Sequence, residues 1–133
     1  MNEIRLRVRY AETDQMGVVY HANYLIWMEM GRVEYCRALG VRYKEMEEQD
    51  GVFLVVAEAQ CRYRAPARYD DEVLVRTQVV QSTARILKFA YDIVLAENAG
   101  LLATGATTHV FCNPMMRPCK LPPKYFAAFG VTI

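Results

Sequence analysis

Asn23-Tyr24-Leu25-Ile26-Trp27-Met28-Glu29-Met30-Gly31-Arg32-Val33-Glu34-Tyr35-Cys36-Arg37-Ala38-Leu39-Gly40 decides how the rest of the chain is read. Residues 23–39 read as one helix, with Asn23 as a candidate N-cap and Gly40 as the residue that closes it. Its apolar side chains do not keep to one narrow stripe. Leu25, Ile26, Trp27, Met28, Met30, Val33, Tyr35, Cys36 and Leu39 cover most of the circumference. Glu29, Arg32, Glu34 and Arg37 are interspersed and predict ion pairs along the helix. A helix apolar nearly all round has to be enclosed by other elements. In a chain of 133 residues, only a sheet is available to enclose it.

Both flanks of the helix supply strands. Upstream, Ile4, Leu6, Val8 and Tyr10 alternate with Glu3, Arg5, Arg7 and Arg9, which predicts a half-buried strand over 3–10. Residues 11–17, short and polar, make a loop. Downstream, Phe53 to Arg64 alternates around Ala57, Ala59, Cys61 and Tyr63 until Pro66 and Asp70-Asp71 break it. Val73–Gln81, the Phe89–Leu95 region and Leu101–Cys112 give three more strands. Asn98-Ala99-Gly100 is a turn and Asn113-Pro114 a stop. A helical turn or two is expected around Tyr125–Phe129. Consecutive strands joined by short turns predict antiparallel pairing. The whole chain, 1–133, reads as a single α+β domain: a long central helix wrapped by a curved antiparallel sheet. Such a sheet has an exposed edge that a second copy can cover, so a homodimer or homotetramer is expected.

Composition narrows the function. Apolar residues make up 53% and charged residues 23%, enough for a real core. With 16 basic and 15 acidic residues, the net charge of +1 creates no field for nucleic acid or a membrane surface. No apolar run approaches the roughly 18 residues of a membrane span, so no transmembrane segment is expected. The charged, alternating start does not resemble a secretion signal. Cys36, Cys61, Cys112 and Cys119 form no Cys-x-x-Cys pair, and His21 and His109 are the only histidines. No metal site is expected from these spacings, and reduced thiols point to a cytoplasmic location.

The informative stretch precedes the helix: Tyr10-Ala11-Glu12-Thr13-Asp14-Gln15-Met16-Gly17-Val18-Val19-Tyr20-His21-Ala22-Asn23-Tyr24. It resembles the signature of the hotdog-fold 4-hydroxybenzoyl-CoA thioesterase family, in particular its Tol–Pal-associated acyl-CoA thioesterase branch. The matching positions are Asp14, Gly17, Val18-Val19, Tyr20, His21 and Tyr24. The likeness continues through Ala65-Pro66-Ala67-Arg68 and Asp70-Asp71 and covers nearly the whole chain. It implies a hotdog fold and an acyl-CoA thioester hydrolase that needs no cofactor, coenzyme A being part of the substrate.

The residues suit that chemistry. Thioester hydrolysis needs a nucleophile or a base for water, and donors aimed at the oxygen that becomes negative. A helix N-terminus carries unpaired N–H groups and a positive dipole end. Asp14 in the loop and His21 at the helix start can meet there, with Gly17 permitting a tight turn between them. The resemblance implies Asp14 as nucleophile or general base, and a backbone N–H near His21 on the carbonyl. It also implies that Tyr10 and the His21 side chain orient the reacting groups. On the bland reading Asp14 caps a turn, Tyr10 completes a strand face, and His109 is structural. Gly17, Tyr20 and Tyr24 are candidates for lining the substrate site. For the CoA phosphates, Arg62, Arg64, Arg68, Arg85 and Lys88 are candidates; the resemblance implies a preference for Arg85 and Lys88, near the turn between the second and third strands of the sheet.

Two other functions remain open at this point. A hotdog dehydratase or hydratase would pair His21 with Glu34, leaving Asp14 idle and lacking the usual Gly/Pro-rich surroundings of the histidine. A non-catalytic module binding acyl-CoA or acyl carrier protein would keep the groove, yet has no use for Asp14. Acyl carrier protein is also a possible thioester donor. No nucleic-acid-reading motif is present.

Overall fold

The computed structural model describes residues 1–132. In chain order come strand β1 (Asn2–Arg7), a 3-10 turn (Tyr10–Glu12), helix α1 (Asn23–Ala38) and helix α2 (Tyr43–Asp50). Strands β2 (Phe53–Tyr63), β3 (Glu72–Ser82), β4 (Ile86–Leu95) and β5 (Leu101–Cys112) follow. A second 3-10 turn (Pro123–Tyr125) and a short helix α3 (Phe126–Phe129) end the described chain. The strands make one antiparallel sheet ordered β1-β3-β4-β5-β2.

Helix α1 lies across the sheet at very short range. A Cβ on Gly31 would stand 2.5 Å from Thr77 Oγ1 and 3.0 Å from Val75 Cγ1 on β3. On β5, a Cβ on Gly105 would overlap the terminal methyl of Met28. Trp27, Met28, Phe89, Tyr91, Ile93 and Phe111 fill the layer between helix and sheet and are buried. The alternation of β1 survives: Ile4 and Leu6 are half-buried, while Glu3, Arg5 and Arg7 face solvent. These outward groups pair across to β3, Glu3 with Arg76 at 2.8 Å and Arg7 with Glu72 at 3.2 Å, and Arg5 also reaches Glu72. On α1, Arg32 pairs with Glu29 and Arg37 with Glu34, each at i,i+3, as the sequence predicts. All four cysteines are free thiols.

The structure corrects several expectations. Only one side of α1 is enclosed: Tyr24, Trp27, Met28, Gly31, Arg32 and Cys36 are buried, but Leu25, Ile26, Met30 and Leu39 are exposed. The five-stranded sheet packs against that side of α1, and the opposite side stays open. Strand β2 does not pair with its successor β3; it crosses the sheet to the far side of β5. Strand β1 stops at Arg7, the chain turns at residues 10–12, and Tyr10 leaves the apolar face to stand 76% exposed. Asn23 is the first helical residue rather than the cap, Ala22 taking that place. Its side chain instead donates from Nδ2 to the Glu12 carbonyl at 2.8 Å. Helix α2 was not foreseen, since Tyr43–Asp50 is almost wholly polar and buries only Met46.

Beneath α1 the core holds a polar patch. His109 is fully buried, with Nε2 2.8 Å from Thr107 Oγ1, which lies 2.6 Å from the Tyr91 hydroxyl. Burial and then the charge of Arg32 push the imidazole down from 6.5 to about 4. Between those values the unfolded chain binds a proton that the fold refuses. The contribution of His109 is therefore complete above pH 6.5 and is lost as pH falls toward 4. Over that window it amounts to at most about 3 kcal/mol. Denaturant unfolding of His109→Gln across this range should show a shallower loss of stability with acid than the parent chain. Parallel pH profiles would refute the assignment.

Candidate active site

The stretch that carries the motif folds as a small hairpin in front of α1. Thr13 bridges Val19, the Asp14 N–H donates to Val18 O at 2.9 Å, and the Gly17 N–H donates to Asp14 O at 3.0 Å. The reversal passes through Gly17 at φ +80°, a left-handed conformation that favours glycine. Tyr10 O accepts from both the N–H and the hydroxyl of Thr13, at 3.1 and 2.7 Å.

The base of this hairpin is held by Glu12, which is only 7% exposed. One carboxylate oxygen accepts the Arg9 N–H at 2.8 Å and the other the Trp27 indole N–H at 2.9 Å. Its carbonyl accepts from the Tyr20 N–H at 2.9 Å and from Asn23 Nδ2 at 2.8 Å. Burial alone would raise the Glu12 carboxyl. The Arg9 N–H, the indole and the Arg9 charge outweigh it and hold the group below its ordinary value. Glu12 thus ties both ends of the hairpin to α1.

A cavity of about 310 Å³ opens where the hairpin, the start of α1 and the end of β2 meet. Asp14, His21, Tyr24, Tyr63, Arg64 and Pro66 are among the residues that line it. Asp14 Oδ1 accepts the Met16 N–H at 2.8 Å; Oδ2 has no hydrogen-bond partner among the described residues. Asp14 therefore caps a turn, as the bland reading holds, and still presents a free oxygen. At the start of α1, the first N–H groups of the helix proper are engaged, Asn23 to Tyr20 O at 2.9 Å and Tyr24 to His21 O at 3.3 Å. Those of His21 and Ala22 have no acceptor among the described residues. The His21 carbonyl also accepts the Tyr63 hydroxyl at 2.9 Å, and Tyr20 packs on the His21 ring at 4.6 Å. Tyr24, buried, stands 5.1 Å from the Tyr63 ring and accepts the Ala67 N–H at 3.3 Å. Burial and then the Cys61 thiol push the Tyr63 phenol up to about 12, and burial raises Tyr24, so both tyrosines are neutral here.

The structure thus brings Asp14, His21 and Tyr24 to one cavity, with Gly17 in the turn and Tyr20 behind the histidine ring. It does not bring Tyr10, whose ring packs on Tyr69 at 5.3 Å. Nor does it bring Arg85 and Lys88. The cavity sits at the Tyr63–Ala103–Ile93 end of the sheet, whereas Lys88 pairs with Thr108 and Arg85 precedes β4. The separation along β4 is roughly 17 Å or more. Glu34 lies roughly 16 Å along α1 from its start and pairs with Arg37, away from His21. Sequence reading missed Glu12 and Tyr63 as parts of the site. Only the spacing of Glu12 beside Asp14 could have drawn attention.

Residues 8–129 match the Thioesterase-like superfamily. The Bacillus subtilis protein YneP is 40% identical over 107 residues, covering 80% of this chain and 75% of its own. The acyl-CoA thioester hydrolase YbgC of Escherichia coli O6:H1 is 35% identical over 129 residues, covering 93% and 92%. Among solved structures, the DHNA-CoA thioesterase of Staphylococcus aureus superposes with a TM-score of 0.91 at 32% identity, over 96% of this chain and 87% of that one. The α+β arrangement described above is that of hotdog-fold thioesterases.

Trp27 is the sole tryptophan, so its emission reports directly on the Glu12 contact. Glu12→Ala should strand the buried Trp27 indole N–H and the part-buried Arg9 N–H and cost roughly 1–3 kcal/mol, with a shifted emission maximum in the folded state. An unchanged denaturation midpoint would show that the clamp contributes nothing.

Proposed function

We propose that this chain, which belongs to the thioesterase-like superfamily and is a thioester hydrolase, cleaves acyl-CoA to free acid and CoA with Asp14 as nucleophile or general base. The observation that carries this reading is the state of Asp14: one oxygen is anchored to the Met16 N–H and the other is free, in a cavity that His21 also lines, at a helix start where the His21 and Ala22 N–H groups have no acceptor among the described residues. A carbonyl seated on those donors has its developing negative charge stabilised by fixed dipoles at a helix start. The free Asp14 oxygen then either attacks the carbonyl carbon, giving an acyl–aspartyl anhydride that water hydrolyses once the thiolate has left, or takes a proton from the water that attacks. The CoA thiolate leaves and takes up a proton.

His21 and Tyr24 bound the acyl group, Tyr20 backs the His21 ring, and Gly17 allows the carboxylate to turn inward. Tyr10 acts on position alone, through the carbonyl that holds Thr13. Arg85 and Lys88, at the other end of the sheet, reach a substrate here only from a neighbouring copy. The reaction requires no cofactor beyond the CoA carried by the substrate. We place the enzyme in the cytoplasm and, on the Asp14-to-Tyr24 motif, in the Tol–Pal-associated branch; no helix among the described residues is long and apolar enough to cross a membrane. Acyl carrier protein is a second possible thioester donor.

A second copy completes the assembly. Strand β2 ends the sheet with residues 56–60 exposed, and Leu25, Ile26 and Met30 of α1 are uncovered. An unpaired edge beside apolar surface is the setting in which like chains associate.

Thiol release measured across short, long and aromatic acyl-CoAs tests the activity. Asp14→Asn should fold normally and lose on the order of 10²-fold or more in kcat; near-parental turnover would remove Asp14 from the mechanism. Light scattering on eluting protein should give a dimer or tetramer at micromolar concentration, and a stable monomer would overturn the assembly.

A further inference from the structure

A second cleft, of about 290 Å³, adjoins the Asp14 cavity, and Arg64 lines both. Its floor is Thr104-Gly105-Ala106 of β5, three small residues in a row. Gly105 is directed toward Met28 of α1, so Thr104 and Ala106 turn to the opposite face by strand alternation. Arg62 and Gln60 stand beside them in register. The cleft therefore opens on the outer face of the sheet, at the end where β2 runs into the active-site cavity.

Its arginine side chains have no carboxylate partner, a state that those of Arg68, Arg85, Lys88 and Arg117 share elsewhere among the described residues. On this sheet Arg5, Arg7 and Arg76 are all paired with carboxylates. Arg62 and Arg64 are exposed and make no ion pair among the described residues. Glu58 and Asp92 share their face by register, yet neither comes within ion-pair distance. Arg62 lies near the end of β2 and Arg64 just past it, so the two backbone positions are separated by at most roughly 7 Å. Guanidinium groups so placed present forked donors suited to phosphoryl oxygens. The low floor leaves room for a ligand between them and β5.

Resting on the thioesterase reading, we infer that Arg62 and Arg64 form a shelf for the nucleotide phosphates of CoA. The acyl thioester enters the Asp14 cavity, the pantetheine arm passes Arg64, and the phosphates settle on the outer face. This assigns phosphate recognition to the end of the sheet that holds Asp14. Arg85 and Lys88 lie at the other end. The shelf also makes carrier choice a property of two side chains: a thioester on a phosphate-free arm forfeits it.

The test compares kcat/KM for one acyl group presented as acyl-CoA and as acyl-pantetheine, in the parent and in Arg62→Gln/Arg64→Gln. Calorimetric titration with CoA itself runs alongside. The parent should prefer acyl-CoA, and the double variant should lose about tenfold or more of that preference, chiefly through KM. Rising salt should erode the parent's preference and leave the variant's nearly flat. CoA affinity should fall with the same substitutions and recover in part in Arg62→Lys/Arg64→Lys. An undiminished preference, an equal loss on both thioesters, or a preference that instead follows Arg85→Gln/Lys88→Gln would overturn the shelf. If the parent binds CoA through these arginines but cleaves neither thioester, the hydrolase mechanism fails and the shelf stands.

Discussion

Helix α1 meets the sheet at backbone distance, and the absence of a side chain at Gly31 permits it. A helix seated that deeply buries its underside almost completely, with Trp27, Met28 and Cys36 essentially inaccessible. The same crossing sets the position of the helix start, because α1 has no freedom to slide over Thr77 and Val75. Where the first turn of α1 emerges, the end of β2 arrives with Tyr63, whose hydroxyl bonds the His21 carbonyl. The site is therefore a by-product of how one helix fits one sheet. The uncovered Leu25, Ile26 and Met30 are the other by-product.

Two carboxylates, two residues apart, divide the work in front of the helix. Glu12 is buried and spends both oxygens on donors from Arg9 and Trp27. Asp14 commits one oxygen to its own turn. The difference comes from the hairpin: at its base a side chain is pressed against α1, and at its turn it faces open space. A fully bonded buried acid holds a loop without entering the chemistry, since its proton affinity is already lowered by its partners. Fixing the loop through Glu12 lets the Asp14 side chain remain free while its backbone stays ordered.

Much of this is legible from the residues. The alternation in β1 and the β3 to β5 strands follows from local periodicity, and α1 from its length and the glycine that closes it, though not from its N-cap. The position of β2 is not, because its partner, β5, lies forty or more residues away and nothing in Phe53–Tyr63 names it. Helix α2 is hard to see for a different reason: a run so polar, with one buried residue, reads as a solvated loop. Asp14, His21 and Tyr24 are recoverable through the motif. Glu12 is not, since an acid in a polar stretch looks solvated until Trp27 is seen above it. Tyr10 misleads because its position continues an alternation that the backbone abandons at Arg7.

The strand order also sets a schedule for the chain as it is made. Asn2 pairs opposite Thr77, and Phe53 opposite Cys112, so neither β1 nor β2 has a partner when it leaves the ribosome. The β3–β4 hairpin is the first pair of the sheet to close, with Ser82 facing Leu87 across a short turn. Until β5 is complete, α1 carries its apolar side chains with only part of its sheet to cover them. Such long-range pairing slows folding and prolongs exposure of sticky intermediates. During synthesis, the N-terminal half, which carries Asp14 and His21, waits on the C-terminal strands for its shape.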